Sequence, residues 1–161
     1  MEIDSPKIQK VIENMKTALD SQADGVAIAA PQIGELWRIF VVSGKVATFL
    51  KMKKENISDY LDFTKIIKKE PDAVYINPKI VKRSKETEEM EEGCLSVRWL
   101  YGQVCRAKKV VVEAYDENGK KVKSGASGLL AQIFQHEIDH LDGVLFIDKA
   151  TGVEEIEPEK E

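Results

Sequence analysis

Gln135-His136-Glu137-Ile138-Asp139-His140 is the stretch on which the reading of this chain turns. A helix through it turns roughly 100° per residue, so side chains four apart lie on one face, one turn apart. His136 and His140 are then a two-pronged metal clamp, and they are the only two histidines in the chain. Glu137 is displaced around the helix, yet it is long enough to reach a water bound to the same ion. That arrangement belongs to metal-assisted hydrolysis.

Around the clamp, Ser127 and Gly128 open the predicted helix and Asp142-Gly143 close it. Leu129, Leu130, Ile133, Phe134, Ile138 and Leu141 cover most of its circumference, which predicts a buried helix. Leu129 and Ile133 fall seven and three residues before His136 and put apolar walls beside the clamp.

A catalytic ion is usually held by three protein ligands with one position open to water. The third ligand must come from elsewhere, and the lack of a further histidine argues against metalloproteases that add one downstream. Cys94, between Gly93 and Leu95-Ser96, is the favoured candidate over Glu154 and Glu155 of the acidic tail. A thiolate with two imidazoles suits zinc or ferrous iron. A closed structural zinc site made of Cys94, Cys105, His136 and His140 is the non-catalytic alternative. The ten residues between the cysteines fit zinc knuckles poorly, and such a site has no use for Glu137. Outside a metal site, Cys105 reads as a small buried hydrophobe.

The chain of 161 residues is read as one domain, 1–161. Its 24 basic and 28 acidic residues give a formal charge of −4, which suggests neither nucleic acid nor an anionic membrane as partner. No apolar run approaches a membrane span and no signal core opens the chain, so a cytoplasmic protein is expected. Two cysteines are too few for a disulfide scaffold.

Further from the motif, Ser5 and Pro6 cap and start a helix in which Ile8, Val11, Ile12, Met15 and Leu19 repeat at helical spacing to about Asp20. Gly25 to Gln32 is small and apolar, suited to close backbone approach, and Trp37 to Val42 reads as a strand. The lysine-rich stretch at about 44–72 reads as a surface excursion with one or two short helices, scattered with apolar residues that include Ile57, Tyr60 and Leu61. Strand character resumes at Ala73 to Ile76, pauses at Asn77-Pro78 and continues through Val81. A hairpin is expected where Val110 to Tyr115 turns at Asp116-Glu117-Asn118-Gly119 and returns through Val122. Val144 to Ile147 reads as a short strand, and the acidic tail at about 152–161 as too poor in apolar residues to order itself.

Three separated segments resemble one family. Gly25 to Gln32 is similar to the first motif of the peptide deformylases, Glu92-Gly93-Cys94-Leu95-Ser96 is identical to their second, and Gln135 to Gly143 matches their third. The resemblance implies an α+β fold with antiparallel sheets packed around the motif helix. It implies a ferrous ion on Cys94, His136 and His140, replaceable by Zn2+, Ni2+ or Co2+. The implied reaction removes formate from the formyl-methionine of nascent polypeptides. Water activated by the ion attacks the formyl carbon, and Glu137 carries the proton to the leaving amine.

By the same resemblance, the backbone N–H of Leu95 and the side-chain amide of Gln32 stabilise the oxyanion. Gly25 and Ala27 offer backbone hydrogen bonds to an extended substrate. Val26, Met90, Leu129 and Ile133 line the methionine pocket. Glu92 and Gly93 border the substrate, with Glu92 placed to pair with Arg106. The alternatives are another metallopeptidase or amidase, or a module that binds zinc or formylated peptides without cleavage.

Several positions depart from the family. Ala27 replaces a glycine, Arg98 stands where proline is frequent and is followed by Trp99 and Tyr101, and Gln132 occupies a position that is often apolar. Neither the usual N-terminal Pro-x-x-x-Leu-Arg stretch nor a long C-terminal helix is seen. Ribosome docking through such a helix is therefore not expected.

Overall fold

In the computed structural model, which describes residues 2–55 and 62–157, the first helix α1 runs Pro6–Asp20. Proline is tolerated at its first turn, where no intrahelical N–H bond is lost, and the Ser5 hydroxyl accepts from the Ile8 N–H. Ile8, Val11, Ile12, Met15 and Leu19 are all buried, as their spacing predicts. Burying each such side chain contributes roughly 1.5–3 kcal/mol.

The remaining elements are β1 (Ala27–Ala29), β2 (Ile39–Val42), α2 (Gly44–Lys54), β3 (Ala73–Arg83), β4 (Thr87–Gly93), β5 (Leu100–Ala107), β6 (Lys109–Tyr115), β7 (Lys121–Ser127), α3 (Gly128–Leu141) and β8 (Thr151–Glu155). Strand order is β1-β2-β3-β6-β7 in one sheet and β4-β5-β8 in the other. The fold class is α+β, and the pairings β1–β2, β2–β3, β4–β5 and β5–β8 are antiparallel. No helix among the described residues is long and apolar enough to cross a membrane.

The chain divides into two compact units. The first, Met1–Pro78 with Glu113–Val122, has an apolar core in which the buried face of α1 packs with Ile28, Ile39, Val41, Val74 and Ile76. All four residues of β2 are buried, and Phe40 stacks on its cross-strand partner Tyr75 with ring centroids 4.7 Å apart. Asn77 adopts a positive φ of 51°, with its N–H bonded to the Arg38 carbonyl. The expected pause at Asn77-Pro78 is thus a backbone irregularity inside the continuous strand β3. The hairpin of β6 and β7 closes as expected, with the Asp116 carboxylate accepting from the N–H groups of Asn118 and Lys120.

The lysine-rich stretch does contain a helix, α2, capped by Ser43, whose hydroxyl accepts from the Lys45 N–H. It is more than a surface excursion, because Val46, Thr48 and Ile66 are buried. The expectations for Ile57, Tyr60 and Leu61 lie outside the described residues.

The second unit is Lys79–Val112 with Lys123–Glu161. It buries Val104, Ile133, Phe134, Ile138 and Phe146. Two expectations fail here. Val144–Ile147 is not a strand: Phe146–Asp148 form a turn of 3-10 helix, which lets Phe146 become buried. The tail is not without order up to Glu155, since Thr151–Glu155 form β8 on the edge of β5. All five of its residues are exposed, so it is held by the backbone ladder, which needs no apolar side chain. Just beyond it, the Ile156 N–H donates to the Trp99 carbonyl at 2.7 Å.

Candidate metal centre

α3 carries His136 and His140 on one face, with ring centroids 4.8 Å apart. β4 ends at Gly93, and Cys94 follows as the chain leaves the strand. Gly93 opposes Tyr101 on β5, and a Cβ there would fall 2.6 Å from the Tyr101 ring. Only glycine lets that ring lie against the strand at the residue before the thiol.

Cys94 Sγ lies 3.2 Å from His140 Nε2, which lies 3.1 Å from His136 Nε2. One donor atom from each of the three residues fits within 4.8 Å of the others. Metal–nitrogen bonds of about 2.1 Å at tetrahedral angles separate two donors by about 3.4 Å, so this spacing suits one shared cation. Glu137 supplies a second sign of fit. It is buried, its Oε1 is 4.0 Å from His136 Nε2, and its Oε2 has no hydrogen-bond partner among the described residues. A buried carboxylate oxygen without a partner is costly unless a proton, water or cation meets it.

Behind the donors stands a chain of buried charges. Glu92 Oε1 is 2.7 Å from His136 Nδ1, so the carboxylate orients that ring and leaves Nε2 as the coordinating atom. Arg106 grips the same carboxylate with two bonds, from Nε at 2.7 Å and Nη2 at 2.8 Å. Its Nη1 donates at 2.6 Å to Asp139, next to His140, and Lys149 donates to the same oxygen at 3.0 Å. Gln135, also buried, exchanges hydrogen bonds with the N–H and carbonyl of Ala107 and so ties the end of β5 to α3.

Charge states follow from these contacts. Burial favours the neutral form of Glu92, but hydrogen bonds from Arg106 and His136 outweigh it and hold the carboxyl at about 2. Burial likewise opposes the Cys94 thiolate, yet the two histidines and the backbone N–H of Ser96 bring it down to about 5. Without metal, His136 overcomes its burial through Cys94 and Glu92 and rises to about 10. Burial dominates at Glu137 and lifts it to about 7, against the pull of the neighbouring histidines.

The expected site residues divide between the units. Cys94, His136, His140, Glu137, Glu92, Gly93, Leu95, Met90, Leu129 and Ile133 belong to the second. Cys94 and the histidines converge, and the expected Glu92–Arg106 pair is present. Gly25, Val26, Ala27 and Gln32 belong to the first. There Gln32 Oε1 accepts from the Ala29 N–H at 2.7 Å. Gly25 is buried, and an added Cβ would sit 3.0 Å from Leu19 Cδ1, so its glycine also serves packing at the end of α1. Ala27 is buried on β1.

Cys105 is exposed on β5 and is not in the donor group, contrary to both the buried reading and the four-ligand zinc alternative. It alternates with the buried Val104 and Arg106 and so faces the other way. Ser127 precedes α3 but makes no side-chain cap. The motif reading missed Asp139, Gln135 and Lys149. The signal available was a pair of polar residues, Gln135 and Asp139, at i and i+4 beside the clamp on a helix rich in apolar residues.

Comparison with known proteins places the chain in a family. The family model described as Polypeptide deformylase matches residues 1–155. Peptide deformylase 2 of Clostridium acetobutylicum is 39% identical over 151 residues, covering 94% of this chain and 84% of that protein. The peptide deformylase of Halothermothrix orenii is 39% identical over 150 residues, covering 92% and 81%. Among solved structures, the peptide deformylase of Synechococcus elongatus in complex with actinonin superposes with a TM-score of 0.73 at 35% identity, covering 94% of this chain and 69% of that one. The chain belongs to the polypeptide deformylase family.

Proposed function

We propose that the chain hydrolyses the N-terminal formyl amide of formyl-methionyl peptides, such as nascent polypeptides, and releases formate. The observation that carries this reading is the meeting of Cys94, His136 and His140 beside a buried Glu137 whose Oε2 lacks a partner among the described residues, in a chain of this family. The family is metal-dependent, and the ion proposed is Fe2+, with Zn2+, Ni2+ or Co2+ able to replace it. When bound, such an ion supplies Lewis acidity and lowers the pKa of a water molecule.

The other parts fall to the protein. Glu92 fixes the His136 ring through Nδ1, and Arg106 keeps Glu92 ionised. Glu137 Oε2 takes the proton of the attacking water and delivers it to the departing amine, which completes the exchange of formyl C–N for C–O. Following the family pattern, the Leu95 N–H and the Gln32 amide are the oxyanion donors. Gly25, Val26 and Ala27 are assigned to the substrate, with Met90, Leu129 and Ile133 at its first side chain.

The test is anaerobically prepared, metal-loaded protein given formyl-Met-Ala-Ser, with formate and internal cleavage both followed. Formate release without internal cleavage is expected. Glu137→Gln should retain the metal and lose about 10²- to 10⁴-fold in turnover. No formate from the wild-type protein, or undiminished release from Glu137→Gln, would overturn the assignment.

A further inference from the structure

β4 runs beside α3 in a readable register. Glu92 meets His136, and one residue earlier the Glu91 carbonyl accepts a 2.8 Å hydrogen bond from Gln132 Nε2, one turn back along the helix. Moving this way along both elements leads away from His140, against which Cys94 lies. Met90 shares the face of Glu92 by the two-residue period of the strand and lies one step further in the same direction. On the helix, Leu129 and Ile133 flank the same ground. Register and helical spacing therefore bring Met90, Leu129, the buried Ile133 and the Gln132 amide to the same side of the donors.

That amide is only half engaged. Its NH2 group is held by the Glu91 carbonyl, while Oε1 has no partner among the described residues, and Gln132 is only partly buried. The first side chain of a formylated peptide starts three bonds from the reacting carbonyl carbon, and one helical turn rises about 5.4 Å. A substrate reacting at the donors can lay that side chain along the stretch from His136 to Gln132.

We propose that Gln132 is a specificity-determining residue whose Oε1 offers a hydrogen-bond acceptor to the first side chain of the substrate, widening acceptance from methionine to polar side chains that donate a hydrogen bond. This rests on the deformylase reading above. In an all-apolar wall a donor entering from water goes unpaired and is penalised; Oε1 returns a partner to it.

The experiment compares kcat/KM for formyl-norleucyl-Ala-Ser and formyl-glutaminyl-Ala-Ser, side chains of similar length and opposite polarity. Formyl-Met-Ala-Ser is run beside them as the reference for basal turnover. In the wild-type protein the glutaminyl peptide should fall within about tenfold of the norleucyl one, and Gln132→Leu and Gln132→Met should each widen that ratio about tenfold. A loss of structure alone would lower both substrates together and leave the ratio unmoved. An unchanged ratio in the variants overturns the proposal, as does a wild-type ratio above about a hundredfold, which needs no variant to fold. Absence of formate from formyl-Met-Ala-Ser itself overturns the underlying activity instead, and the specificity with it.

Discussion

Helix α1 buries one face and α3 most of its circumference, and the two do so with different chemistry. α1 buries five apolar side chains and nothing charged, whereas in α3 Gln135, Glu137 and His140 are as enclosed as Ile133 and Phe134. The first arrangement draws its stability from water leaving hydrocarbon, and the identity of each residue matters mainly through volume. The second holds its charges in place mainly through partners, Arg106 for Glu92 and Asp139 and Glu92 for His136, with Glu137 Oε2 alone left without one among the described residues. Such a network adds little net stability, yet it fixes donor atoms within a fraction of an ångström. One helix makes the protein fold, and the other aims its chemistry.

Arg106→Met is the sharpest attempt to break this contrast. It leaves the buried Glu92 without its guanidinium and Asp139 with Lys149 alone, and calorimetry should show a loss of about 3–5 kcal/mol. Metal affinity, read by competition with a chelator, should fall about 10- to 100-fold because His136 loses its oriented partner. Met15→Ala, at a site with no solvent exposure, should cost about 2–5 kcal/mol in denaturant unfolding. Its metal affinity should stay at the wild-type value; an equal loss of affinity would erase the distinction drawn here.

Ser5→Ala should cost about 1 kcal/mol by removing the cap of α1. Lys68→Ala should cost about 1 kcal/mol, because the Lys68 ammonium and the Asp20 carboxylate are partly solvated and the enclosed Asp72 carboxylate keeps the Gly44 N–H when the lysine is removed. Burial is the largest single influence and disfavours the Lys68 ammonium, but the hydrogen bonds and charges of the two aspartates together outweigh it and raise its pKa. Its contribution is therefore complete below the ordinary lysine value and lost only as pH climbs beyond it. Wild type and variant should differ equally at pH 6 and pH 8.

The same contrast explains what could be read from the residues. α1, the β6–β7 hairpin and α3 announce themselves: apolar spacing marks both helices, the Ser5 cap starts α1, and the Asp116 turn closes the hairpin. β4 and β5 do not, since Glu88, Met90 and Glu92 share one face of β4 and Arg106 sits on the inner face of β5. Alternation is there, but it is an alternation of charges, which becomes a buried strand face only after the partners meet. β8 has five exposed residues and no pattern at all. At the centre, the histidines and Glu137 were legible from spacing and Cys94 from its setting. The bridge from Arg106 to Asp139 was not, because it joins positions 33 residues apart.

Both imidazoles of the chain are spent at one place, 4.8 Å apart. A proton NMR spectrum of the protein therefore carries only two histidine spin systems, and each reports on the donor cluster. Loading with diamagnetic zinc should move both, while a paramagnetic ion should broaden both away. The occupancy of the centre can thus be followed in the intact protein without isotopic labelling or a substrate.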